Sequence, residues 1–308
     1  MRIASIDIGT NTFRILVSDV KENRSLEQLY LDRTIIRLGG GFSEEDKVLA
    51  ADAISRALST LKKYSIVLEK YSVDKVRAVA TSVVREALNG RAFIQEVRDK
   101  TGINIDVITA EEEARLTLEG VLNSVTLDSP CCIVFDIGGG STEYILTSNE
   151  YIHKLISINM GVVHLTEKYL PNCNHPQPEI EELTDNIVQT LHNELSAFKP
   201  LIPDQGISLV ATAGTPTTLA AIELGLSKYN PDRINNFHLT RDMVIQSIEK
   251  LLALPVPQRT NVPGLEEGRE DIIIPGAIIL LKTMEYLNKQ SLTVSDGGLL
   301  EGILYDML

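Results

Sequence analysis

The strongest constraint on this fold is a pattern that occurs twice. Residues 5–19 (SIDIGTNTFRILVSD) and 134–148 (VFDIGGGSTEYILTS) each run from an apolar strand into Asp-Ile-Gly, turn through small polar residues and leave as a second alternating strand. The two aspartates, Asp7 and Asp136, stand 129 positions apart. One Asp-Ile-Gly tripeptide says little. Two of them with matching hairpins on both sides imply an internal duplication, one copy opening each half of the chain. Glycine weakens a strand, so inside one it marks a bulge, a tight turn or a place where something approaches the backbone.

The rest of the chain alternates strand and helix signals, which predicts an α/β protein. Strands are expected at 3–8, 13–20, 26–38, 75–80 and 105–108, with helices from about Asp46 to Tyr71, near 90–101 and from 110 to 123. Thr109 suits the N-cap of that last helix, and Glu111, Glu112 and Glu113 suit its positive end. A second cycle predicts strands at 131–137, 141–147 and 152–158 and helices near 162–170 and 178–198. A strand–glycine turn–helix follows at 208–222, then helices near 240–252 and 270–288, a strand at 292–295 and a final helix at 299–307. With 308 residues, 44% of them hydrophobic, the chain is long enough for two domains with separate cores.

Glycine-rich hairpins with hydroxyl residues at the turn present several backbone N–H groups into one concavity, which suits phosphate oxygens. The first such turn holds Gly9, Thr10, Asn11 and Thr12; the second holds Gly138, Gly139, Gly140, Ser141 and Thr142. By itself the first is equally an ordinary hairpin, whereas three successive glycines exceed what any turn needs. Asp7 and Asp136, at the strand ends, are placed to hold a hydrated Mg²⁺ (or Mn²⁺) against phosphates. A third glycine turn, at Gly214 and Thr215, opens a helix and adds another anion-friendly N-terminus.

Composition excludes several classes. The net charge of −13 argues against a nucleic-acid-binding surface. No stretch approaches the roughly 20 apolar residues of a membrane span, and Asp7 interrupts the N-terminal apolar run too early for a signal peptide. Three cysteines make no disulfide framework, and the histidines at 153, 164, 175, 192 and 238 lack zinc-ligand spacing. The expectation is a soluble cytoplasmic protein.

Seven blocks in order, IDIGTNTFRILV, ATSVVREA (80–87), ITAEEEARL (108–116), FDIGGGSTE, TAGTPTTLA, REDIIIPGA (269–277) and VSDGGLLEGIL (294–304), resemble the signatures of the Ppx/GppA phosphatases. These are exopolyphosphatases and guanosine pentaphosphate (pppGpp) phosphohydrolases of the acetate and sugar kinase, heat-shock chaperone and actin superfamily. The resemblance implies two ribonuclease-H-like domains, each a mixed five-stranded sheet with helices, and an active site in the cleft between them. The expected domains are 1–125, joined by the final helix 297–308, and 126–296.

The resemblance also implies residue roles. Glu113, directly before Ala-Arg, corresponds to the catalytic base; read without it, the Glu triplet is ordinary helix-dipole chemistry. Asp136 and Gly138 fall in the phosphate loop, with Ser141 as hydroxyl donor. Glu143 corresponds to a second essential acid, for Mg²⁺ or water positioning, although the bare pattern equally allows an outward strand residue. Arg85 corresponds to a phosphate-contacting arginine, and Arg14 and Arg269 are assigned the same role. Three departures stand out: Leu300 where many relatives carry arginine, Gly297, and TAGT in place of a double-glycine form. Larger members append a helical region, so this chain reads as a short form, suited to shorter polyphosphate or lower processivity.

The implied activity is Mg²⁺-dependent release of orthophosphate from inorganic polyphosphate. The alternative is removal of the 5′ γ-phosphate of pppGpp; a non-hydrolysing actin-like nucleotide sensor and a small-acceptor kinase rank far behind. A homodimer fits the resemblance.

Overall fold

The computed structural model describes every residue except 23, 43–45, 149–150, 172–175 and 203–205. Two residues counted in the sequence, His175 and Cys173, lie outside the described residues. The chain divides into two compact units, Met1–Gly120 with Leu299–Leu308, and Val121–Gly298.

In the first unit β1 (Arg2–Ile8), β2 (Thr12–Val20) and β3 (Leu26–Ile35) form an antiparallel meander. The helix α1 (Ala51–Lys70) then carries the chain across to β4 (Lys75–Ala80), which lies parallel to β1. A crossover of this kind is what a parallel neighbour requires. Short α2 (Ser82–Glu86) and α3 (Gly90–Thr101) follow, then β5 (Ile105–Val107) and α4 (Ala110–Leu122). The sheet order is β3-β2-β1-β4-β5. Central β1 is buried along almost its whole length, Ser5 and Asp7 included. Ala53, Ala57, Leu61 and Tyr64 recur along one side of α1 and are all buried, and the Tyr64 hydroxyl donates to the Phe13 carbonyl at 3.1 Å.

The second unit repeats the plan. β6 (Cys131–Ile137), β7 (Thr142–Ser148) and β8 (Tyr151–Ile158) form the meander, followed by α5 (Val162–Tyr169) and α6 (Gln177–Glu194). Parallel β9 (Ile207–Thr212) leads into α7 (Gly214–Glu223); α8 (Pro231–Ile234), β10 (His238–Thr240), α9 (Arg241–Leu252), α10 (Ile273–Tyr286) and β11 (Ser291–Val294) complete the unit. Its strand order, β10-β11-β9-β6-β7-β8, is the order of the first sheet plus one strand. The final helix α11 (Leu299–Asp306) returns to the first unit, where Leu300 and Leu304 are buried with Ile3 and Leu16. Leu300, which stands where many relatives carry arginine, is thus a core residue there, 1% exposed. Gly302 lets α11 touch α4 backbone to backbone, since a Cβ there would stand 1.8 Å from the Leu116 carbonyl oxygen.

Several expectations need correction. The second sheet has six strands rather than five, because His238–Thr240 pairs antiparallel with β11; a three-residue strand carries too little pattern to read. The first long helix starts at Ala51 rather than Asp46. The Asn89 side chain accepts from the Leu49 N–H at 2.9 Å and donates to its carbonyl at 3.0 Å, which holds that segment out of the helix. The third strand ends at Ile35 rather than 38, because the Ile36 and Arg37 N–H groups turn to the Asn11 carbonyl. The segment at 270–272 precedes α10 instead of belonging to it. Helices α2 and α8 were not expected at all.

Candidate active site

The two hairpin turns are built alike. Gly9 N–H donates to the Thr12 carbonyl at 3.1 Å, and Gly138 N–H to the Ser141 carbonyl at 2.9 Å. In both, a Cβ on the glycine would stand 2.9 Å from that same carbonyl oxygen, so glycine is required by close approach. Each turn also has two of its carbonyls held by backbone donors from elsewhere in its unit. In the first, the Thr10 carbonyl accepts from Gly39 N–H, and the Asn11 carbonyl from Ile36 and Arg37 N–H, all at 2.8–2.9 Å. In the second, the Gly138 and Gly139 carbonyls accept from Val162 and Val163, the first residues of α5, at 3.0 and 2.9 Å. With their carbonyls tied back, the N–H groups of Thr10 and Asn11, and of Gly139, Gly140 and Ser141, donate to no acceptor among the described residues. Successive amide donors without protein acceptors make an anion nest.

Two segments that support these turns escaped sequence reasoning. Gly39 leaves room for Thr10, whose Cγ2 would lie 2.4 Å from a Cβ at that position. Gly161 plays the matching part in the second unit, where a Cβ would stand 2.2 Å from the Gly140 carbonyl carbon. A third residue, Ser82 at the start of α2, shares a buried hydroxyl–hydroxyl hydrogen bond of 3.0 Å with Thr10. Its signal was the ATSVVREA block itself, from which only the arginine was singled out.

Arg85 and Glu113 come together in the first unit. Arg85 Nη1 donates to Glu113 Oε2 at 3.2 Å and to the Ile108 carbonyl at 2.9 Å. The neighbouring acids of the triplet do other work. The Glu111 carboxyl sits below its ordinary range because of its own backbone N–H at the helix start, then the Thr109 hydroxyl and Arg85. Thr109 caps α4, accepting from Glu112 N–H at 3.2 Å. Glu112 is lowered chiefly by its hydrogen bond to Arg115 and also by Arg77. It joins a network in which Arg77 and Arg115 each reach both Glu112 and Asp306 of α11. Of the three glutamates, Glu113 is the one that faces Arg85.

The duplication places unlike residues at equivalent positions. Asp7 lies opposite Arg14 across the first hairpin, and Arg14 donates to Asp7 Oδ2 from Nε at 3.0 Å and from Nη2 at 2.8 Å. Asp136 lies opposite Glu143 across the second. There the pair is of like charge, and Glu143 is 3% exposed, with Oε1 accepting from the Ser157 hydroxyl at 2.7 Å. Arg14, assigned to phosphate, is thus engaged by Asp7.

The third turn is strained. Ala213, immediately before α7, has φ 73° and ψ −165°, a region populated almost only by glycine. This is the position where TAGT departs from the double-glycine form. Behind it, Gly214 accommodates the Arg269 guanidinium, whose Nη1 would lie 2.0 Å from a Cβ at 214, and Gly276 accommodates Thr215. Arg269 is 7% exposed, and its Nε donates to Glu266 Oε2 at 2.6 Å. We expect Ala213→Gly to stabilise the protein by about 1–2 kcal/mol, the relieved strain being partly offset by the freer unfolded chain. The melting temperature should rise by a few degrees in a reversible thermal scan.

The profile of the Ppx/GppA phosphatase family matches residues 16–308. The chain belongs to the Ppx/GppA phosphatase family. It is 35% identical, over 97% of its length, to a bifunctional 3-dehydroquinate synthase/phosphatase of Fusobacterium nucleatum, and it spans 46% of that longer protein. It is 29% identical to exopolyphosphatase 2 of Mycobacterium tuberculosis, with 98% of this chain and 97% of that one covered. Among solved structures, an exopolyphosphatase from Cytophaga hutchinsonii superposes with a TM-score of 0.90 at 26% identity, covering 100% of this chain and 97% of the other. The fold is therefore the two-domain, actin-like fold of this family. Among the described residues no helix is long and apolar enough to cross a membrane. Cys131 and Cys132 carry free thiols, and burial pushes the Cys132 thiol up to about 12, far from a nucleophile's range.

Proposed function

We propose that this chain is an exopolyphosphatase that hydrolyses the terminal phosphoanhydride of inorganic polyphosphate. The observation that carries this reading is the pair of turns whose carbonyls are tied back and whose N–H groups are left for an anion. A chain of phosphates offers oxygens to such donors repeatedly and needs no pocket for a base. The Mycobacterium tuberculosis relative bears the name of this activity.

In this reading Glu113 orients a water and takes its proton as the water attacks the terminal phosphorus in line. Arg85, held beside Glu113 by their 3.2 Å contact, stabilises charge on the transferred group. Gly139, Gly140 and Ser141 bind phosphate oxygens through backbone N–H groups, and Thr10 and Asn11 do the same in the first unit. Arg269 meets an anion at the start of α7.

One observation favours a divalent cation: the carboxylates of Asp136 and Glu143 lie at directly opposed positions across one hairpin. Among the described residues no group of three or more His, Cys, Asp or Glu is placed to hold an ion. Asp136 and Glu143 would therefore hold Mg²⁺ with water and substrate oxygens completing its shell, which is how Mg²⁺ prefers to bind. When bound, the cation would neutralise charge on the phosphates.

The test is orthophosphate release with polyphosphate and pppGpp offered in parallel at equal phosphoanhydride concentration, with Mg²⁺ and after chelation. We expect release from polyphosphate to dominate and to stop when the cation is removed. Release mainly from pppGpp would replace the substrate assignment. No release from either would overturn the hydrolytic reading.

A further inference from the structure

Among the described residues, Arg259 is the largest side chain that the protein buries completely, at 1% exposed. It lies in the 3₁₀ turn Val256–Asn261. Its Nε donates to the Leu251 carbonyl at 2.8 Å and its Nη1 to the Glu270 carbonyl at 3.0 Å. The first of these is a last-turn carbonyl of α9, which also accepts from Leu254 N–H at 3.2 Å. The second belongs to the residue next to Arg269.

Taking a guanidinium out of water costs several kcal/mol, and apolar residues of similar volume often fill such a place at least as well. Burial does push the Arg259 guanidinium down from its usual value, with Asp271 opposing. What an apolar residue cannot do is hold two carbonyls at a fixed separation, and a planar fork of donors can. The segment it reaches, 262–272, has neither helix nor strand and contains two glycines in the left-handed region, Gly264 at φ 94° and Gly268 at φ 83°. Gly264 packs that segment onto α7, where a Cβ would stand 2.3 Å from the Ala221 carbonyl carbon. At its far end the Arg269 guanidinium fills the space beside Gly214.

We infer that Arg259 is a positioning residue: by pinning the Glu270 carbonyl to the end of α9, it fixes the Arg269 guanidinium at the start of α7, where a substrate phosphate is bound. This rests on the reading of Arg269 as an anion contact, and the experiment separates the two.

KM and kcat for polyphosphate are measured for Arg259→Met, Arg259→Lys, Arg269→Met and the double variant Arg259→Met/Arg269→Met. Amide exchange is followed by mass spectrometry over residues 266–273. We expect Arg259→Met to raise KM roughly 10- to 100-fold, as loss of a charge-assisted phosphate contact does, with a much smaller change in kcat. Arg259→Lys should fall between the two, because it keeps the charge and loses the fork. In the Arg269→Met background, Arg259→Met should change KM less than about twofold, since residues acting as one unit are not additive. Exchange over 266–273 should quicken in both Arg259 variants. Wild-type KM with unchanged exchange, or full additivity in the double variant, would overturn the inference. Should Arg259→Met fail to fold, the lysine variant carries the same comparison. If Arg269→Met leaves KM at the wild-type value while the Arg259 variants exchange faster, the anion role of Arg269 fails and the pin stands; the reverse pattern removes the pin alone.

Discussion

Glu113→Gln should slow orthophosphate release from polyphosphate by roughly 10²–10⁴-fold, the usual contribution of a positioned general base. Glutamine keeps the size of the side chain and a carbonyl oxygen for Arg85, so the 3.2 Å contact has a neutral replacement and the helix is undisturbed. The variant loses only the ability to accept a proton. Affinity for polyphosphate, measured by equilibrium binding or as KM where chemistry limits turnover, should stay close to wild type. Glu111→Gln and Glu112→Gln provide the comparison, since their carboxyls serve the helix start and the Arg77–Arg115–Asp306 network. Equal losses in all three variants would reduce Glu113 to a structural acid.

The second large effect is expected at a residue with no chemistry of its own. Gly161→Ala should cut turnover at least about 100-fold and raise KM more than tenfold, together with a fall in melting temperature. Gly161 has φ −99°, so alanine suits the backbone there and the effect is steric alone. The added methyl would stand 2.2–2.4 Å from three backbone atoms of Gly139 and Gly140. Because all three belong to backbone, the loop itself must shift, and overpacking of this kind costs about 1–3 kcal/mol or more. The shift also breaks the bonds from Val162 and Val163 N–H to the loop carbonyls, and the N–H groups on the other side of the turn lose their aim. Gly102→Ala is the contrast: at φ 73° with open space around it, it should lower stability by about 1 kcal/mol and leave catalysis alone. Wild-type KM in Gly161→Ala would mean that the Gly138–Gly140 turn does not bind the substrate.

The sequence by itself determined the duplication; the order of strands that the two sheets share came with the structure. The duplication rests on repeated local signals: an apolar strand, a glycine turn and a second strand, at two places 129 residues apart. The sequence also singled out the turn at 138–140 as the one expected to meet an anion, because three adjacent glycines there exceed what a hairpin turn requires. Glu113 was distinguishable from Glu111 and Glu112 only through the family resemblance, since three acids at a helix start obey the same dipole rule.

The tertiary structure decided what depends on residues far apart in the chain. Gly39 and Gly161 support the turns through backbone contacts with segments some 20 to 30 residues away, and no local pattern announces such a partner. The structure paired Arg14 with Asp7 and set Glu143 opposite Asp136, so that one copy of the motif carries a neutralised ion pair and the other two carboxylates. It also placed Arg269 against Gly214 and buried Arg259 behind it. Sequence reasoning works through periodicity and short-range propensity. A side chain's partner is chosen by the packing of whole elements, which register and burial specify only once the sheets are assembled.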